Sequence, residues 1–130
     1  LLCSMDSAIL RFDADTGASE VVVGGQPNTI EDFDWDRERR FLVAVNYDKE
    51  LTLYDLASFE PIDRINIDMD YPHGVLFLPV RFGADVADLV TLGRSGVCRR
   101  YQIHDERLHF IGEMNPVSIA DPMAGVRVRA

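Results

Sequence analysis

Three short segments of the sequence place a residue able to bind a ligand directly after a proline. Pro27-Asn28-Thr29-Ile30, Pro72-His73-Gly74-Val75 and Pro122-Met123-Ala124-Gly125 recur at intervals of 45 and 50 residues. Proline fixes the approach of the chain and lacks an N–H, so it is tolerated just before a strand joins its ladder. The next side chain, Asn28, His73 or Met123, then stands at an equivalent point of each segment. An imidazole such as His73 can ligate a metal or exchange a proton near neutral pH, and an amide oxygen such as that of Asn28 can serve Ca²⁺ or another divalent cation. Asp68 and Asp70 fall on one face of an extended segment, a spacing that suits a cation and equally suits a turn leading into Pro72. Asn28, His73, Met123 and Asp70 are therefore the candidate binding residues, with Asn28 and His73 the candidate metal ligands. The competing reading is that these side chains close turns by hydrogen bonding, because a metal site needs clustered ligands. His104 and His109 flank a turn and read as exposed hairpin residues, and Trp35 alternates with Phe33 as core packing. There is no serine nucleophile elbow, no phosphate-cradling glycine loop and no HExxH helix.

The elements that must carry these residues repeat as well. Cys3–Asp13, Val45–Asp55 and Leu92–Gln102 align without a gap, with an aromatic residue at Phe12, Tyr54 and Tyr101. The spacings of 42 and 47 residues match the length of a propeller repeat, about 40 to 50 residues. In each unit an apolar run (Leu1–Met5, Phe41–Val45, Leu89–Leu92) meets a polar turn and an alternating run that ends at the aromatic anchor, which is the grammar of a hairpin. A further turn leads to Glu20–Val23, Ile62–Ile67 or Leu108–Gly112, and a fourth strand is expected at Thr29–Trp35, Gly74–Leu78 and Gly125–Arg129. Frequent Gly and Pro breakers and period-two alternation exclude a helical reading, and Gly83–Asp88 is expected to be a loop. The fold class is all-β, built from four-stranded antiparallel units of the kind that form propeller blades.

Val45–Leu56, V-N-Y-D-K-E-L-T-L-Y-D-L, resembles the second and third strands of a WD-repeat or YVTN-type β-propeller blade, with Tyr54-Asp55 where Trp-Asp is common. The Gly-His dipeptide of WD repeats is absent, and Ala8–Gly17 is equally similar to quinoprotein-type repeats. The resemblance implies a scaffold for protein contacts or, in enzymatic relatives, a site at the mouth of a central channel. Pro72-His73-Gly74 is similar to inner strands of lactonase-like and copper-bearing propellers, and Pro27-Asn28 to the calcium site of gluconolactonase-like ones. Boundaries between units are expected near residues 26, 71 and 121. About three units fall short of the four to eight of a closed propeller, so an open arc, a piece of a larger propeller or an assembly of several copies is expected. The missing initiator Met favours the piece.

Composition narrows the partners. Among 130 residues, 13 basic and 22 acidic side chains give a net charge of −9, which argues against a nucleic-acid backbone as ligand. The acidic excess lies in residues 1 to 70, with 16 acids against 6 bases. No apolar run approaches the roughly 20 residues of a membrane-spanning helix. Two cysteines, Cys3 and Cys98, make no disulfide framework and favour a reducing compartment such as the cytoplasm. The first functional expectation is a non-catalytic module that presents loops to a protein partner, to further propeller units or to copies of itself, without a cofactor. Its rival is a propeller enzyme or metal-dependent small-molecule binder using Asn28, His73 and Asp70.

Overall fold

A computed structural model describes residues 2–25, 28–79 and 86–114. The chain is all-β. Among the described residues the strands are β1 (Leu2–Met5), β2 (Ala8–Phe12), β3 (Ser19–Val23), β4 (Ile30–Asp36), β5 (Phe41–Asn46), β6 (Glu50–Asp55), β7 (Pro61–Asn66), β8 (Pro72–Phe77), β9 (Ala87–Gly93), β10 (Cys98–His104) and β11 (Arg107–Met114). They form three antiparallel meanders: sheet I from β1 to β3, sheet II from β4 to β7 and sheet III from β8 to β11. Among the described residues no helix is long and apolar enough to cross a membrane. Met123, the boundary expected near 121 and the strand expected at Gly125–Arg129 lie outside the described residues.

Sheet II is covered on both sides, which explains why Phe41–Val45 is apolar at every position where a half-buried strand would alternate. Val43, Val45, Leu51 and Leu53 point one way and join Val75, Leu89, Tyr101 and Leu108 of sheet III in one core. Leu42, Ala44 and Tyr54 point the other way and join Ile9 and Val23 of sheet I in a second. The aromatic anchors Tyr54 and Tyr101 thus each face the sheet that precedes their own.

Polar side chains bind sheet II to sheet III at both edges. The alternation of β4 directs Phe33 and Trp35, stacked at 6.0 Å, toward the sheet I side. Asp32 and Asp34 take the opposite face, where their Oδ2 atoms accept the backbone N–H groups of Val75 and Phe77 at 2.9 and 2.8 Å. Strand β8 is the edge of sheet III, and the carboxylates satisfy ladder donors that an edge leaves without a strand partner. At the other edge Asp63 of β7 accepts the N–H of Leu108 in β11 at 2.9 Å.

The repeat is less uniform than its gapless alignment implies. The second and third hairpins share one register, with Val45 opposite Leu51 and Leu92 opposite Cys98, while the first closes more tightly, with Met5 opposite Ala8. One residue of register exchanges the faces of β1, so that Leu2 packs on the sheet I–II core. The loop expected over Gly83–Asp88 is shorter on its described side: Ala87 and Asp88 already pair with Ile103 and Gln102 in β9. Its buried Ala87 and Leu89 need that strand to reach the core.

Candidate functional site

The turns at one end of sheets II and III bring together residues from both. The β5–β6 turn is anchored by Asn46, 2% exposed, whose Oδ1 accepts the Glu50 N–H at 3.1 Å while Nδ2 donates to Glu50 Oε1 at 3.2 Å. Lys49 takes a left-handed φ of 65° to close this turn. Asn28 braces it from outside, its Nδ2 donating to Asp48 Oδ1 at 2.9 Å and its Oδ1 accepting the Thr29 N–H at 2.8 Å. The Tyr47 N–H donates to the Thr29 carbonyl at 2.9 Å. The outcome is a rigid turn that holds the Tyr47 ring in solvent, 52% exposed.

Opposite stands the segment that leads into β8. Ile67 and Met69 are buried, leaving Asp68 and Asp70 on the solvent side, and both Asp68 and Tyr71 adopt positive φ, 39° and 43°. A bulky residue with positive φ is an uncommon state that surrounding contacts must impose. They are visible: the Arg94 N–H reaches the carbonyls of both Asp70 and Tyr71 at 3.1 Å. The preceding Gly93 allows this approach, since a Cβ there would lie 2.8 Å from the Asp70 carbonyl oxygen. Tyr71 is left 49% exposed, with its ring 6.1 Å from that of Tyr47 in an edge-to-face pair. The Arg94 guanidinium lies over the Tyr71 ring at 5.6 Å. Glu31, Tyr47, Tyr71, Pro72, His73 and Arg94 enclose a depression of about 180 Å³.

Of the residues singled out from sequence, His73 lines this depression, Asn28 braces the turn beside it, and Asp70 contributes its main-chain carbonyl to Arg94. Tyr47, Tyr71, Glu31, Gly93 and Arg94 were not anticipated. A signal existed: Tyr47 and Arg94 are 47 residues apart, the interval that relates Tyr54 to Tyr101, so they occupy equivalent turn positions in successive units. Among the described residues no three or more His, Cys, Asp or Glu side chains converge on a point that could hold a metal. Cys98 is half-buried, and burial pushes its thiol pKa up, so it remains a protonated, weakly nucleophilic group at neutral pH. His104 and His109 are exposed on the β10–β11 hairpin, with rings 5.4 Å apart across the two strands.

A second depression, about 640 Å³, borders the β2–β3 turn and is lined by Arg11, Phe12, Asp13 and Glu20 among others. It is a weaker candidate because its one cation, Arg11, is already paired with Glu20. Comparison with known proteins finds no family model and no curated protein that matches the chain.

Proposed function

We propose that the chain is a protein-interaction module of the β-propeller type and that it receives its partner at the Tyr47–Tyr71–Arg94 depression. The successive four-stranded meanders, stacked face to face with the first strand of one beside the first strand of the next, support the propeller reading. In that reading further units, from the same protein or from a second copy, complete the ring.

The observation that carries the interaction reading is a half-exposed aromatic pair beside an exposed arginine on rigid turns. Tyrosine and arginine are enriched at the centres of protein interfaces, where they supply large contact area at low entropic cost. The size of the depression points the same way. At about 180 Å³ it falls below the roughly 300 to 1,000 Å³ of small-molecule sites and suits one side chain or chain end of a partner.

Selection of a displayed random-peptide library against the protein tests this. The expected result is an enriched sequence family whose binding weakens at least about tenfold for the Tyr47→Ala/Tyr71→Ala variant, the loss expected for interface anchors. No enriched family, or one that binds the folded variant equally well, overturns the proposal.

A further inference from the structure

We infer that the depression recognises a carboxylate flanked by an amide N–H, presented by a peptide segment, with Arg94 as its anchor. This rests on the interaction reading and adds the chemistry of what is bound.

Arginine is the commonest cation of the chain, and most of the described arginines are neutralised within the fold. Arg11, Arg39, Arg64, Arg99, Arg100 and Arg107 all lie within 4 Å of a carboxylate. Arg94 forms no such pair among the described residues. Its guanidinium lies over the Tyr71 ring, and its backbone N–H, held by two carbonyls, fixes the point at which the side chain leaves the turn. A planar fork of N–H donors matches a carboxylate, which it can hold through two parallel hydrogen bonds. The stacked aromatic face does not consume those in-plane donors.

Glu31 lines the same depression and makes the choice narrower. A carboxylate there disfavours a dianion such as phosphate and offers an acceptor to a donor on the ligand. A peptide carboxylate has such a donor close by in its own amide N–H. The chain's net charge of −9 opposes long-range attraction of an anion, so recognition has to come from short-range contacts at Arg94.

Four probes, followed by amide and tyrosine-ring shifts in NMR titration, test the inference: N-benzoylglycine, its primary amide, N-acetyl-aspartate N-methylamide and inorganic phosphate. Binding of N-benzoylglycine with shifts at Tyr47, Tyr71 and Arg94, and about tenfold weaker binding of its amide, is expected for a C-terminal carboxylate. Comparable binding of the aspartate derivative assigns an acidic side chain instead, and either outcome supports the site. Arg94→Gln should weaken the bound acid about tenfold or more, Arg94→Lys should weaken it less, and Glu31→Gln should raise the affinity for phosphate. The inference is overturned if neither acid binds, if Arg94→Gln leaves affinity within about twofold, or if phosphate binds the unaltered protein as tightly as the acids. Enriched library peptides that lack acidic residues and still bind with a blocked C-terminus would overturn it while leaving the interaction module standing. A library that yields nothing, with acids bound at Arg94, would do the reverse.

Discussion

Asp55 follows the anchor Tyr54 and shows what the repeat needs at that position. Its Oδ1 accepts the backbone N–H groups of Ser58 and Ala57 at 2.9 and 2.8 Å, closing the β6–β7 turn. Asp13, 42 residues earlier, accepts the N–H groups of Asp15 and Thr16 in the same way. The third unit has Gln102 there because β10 runs on to His104 and turns through Asp105 and Glu106, both at positive φ, in a two-residue hairpin that needs no side-chain cap. Hydrogen bonds from Ser58 and Ala57 hold the Asp55 carboxyl below its ordinary pKa. A folded-state pKa below the unfolded value, about 3.9, contributes stability that is present above that value and is lost as pH falls through the folded one. Asp55→Asn keeps the acceptor oxygen and removes the charge. Its melting temperature should therefore lie below that of the unaltered protein at pH 7 and 5 and converge on it toward pH 2. A gap that stays constant across the series would show that the charge of Asp55 contributes nothing.

Between elements, the junction of β4 with β8 combines apolar packing and charged caps. Asp34 is 6% exposed and accepts the Phe77 N–H, so its removal leaves a donor in a site where water has little access. Asp34→Ala should cost about 2 kcal/mol in urea unfolding, and Asp34→Asn clearly less, since an amide oxygen can still accept. Amide exchange should quicken at Phe77 in the alanine variant while Val75, capped by Asp32, changes little. Unchanged exchange at Phe77 would refute this role. The sequence already carried most of the strands, because period-two alternation and Gly or Pro punctuation are local signals. The acid-capped edge was not legible: nothing in the residues around Asp32 and Asp34 tells that β8 lies beside them. The candidate site was half legible for the same reason. His73 follows a proline in a recognisable pattern, but Tyr47 and Arg94 meet only because two sheets stack, and Gly93 matters only because the Asp70 carbonyl passes over it.

For the molecule as a whole, a position in the repeat acquires its energetic weight from whether another sheet covers it. Phe12, Tyr54 and Tyr101 hold equivalent places in successive units, and Tyr54 and Tyr101 each face the sheet that precedes their own. Tyr54 meets sheet I and is 3% exposed; Tyr101 meets sheet II and is 2% exposed. Phe12 has no described sheet before it and is 36% exposed, in line with Val21, opposite Leu10 on the same face, at 60%. Deleting a buried aromatic ring removes its transfer free energy and leaves a cavity, together about 3 to 5 kcal/mol. Tyr54→Ala and Tyr101→Ala should each fall in that range, whereas Phe12→Ala should cost no more than about half as much, because part of its ring is already in water and no closed cavity forms. Chemical denaturation of the three variants measures the difference. Equal losses at all three positions would mean that Phe12 is covered in solution, and that an apolar surface packs on the outer face of sheet I as sheet I itself packs on sheet II.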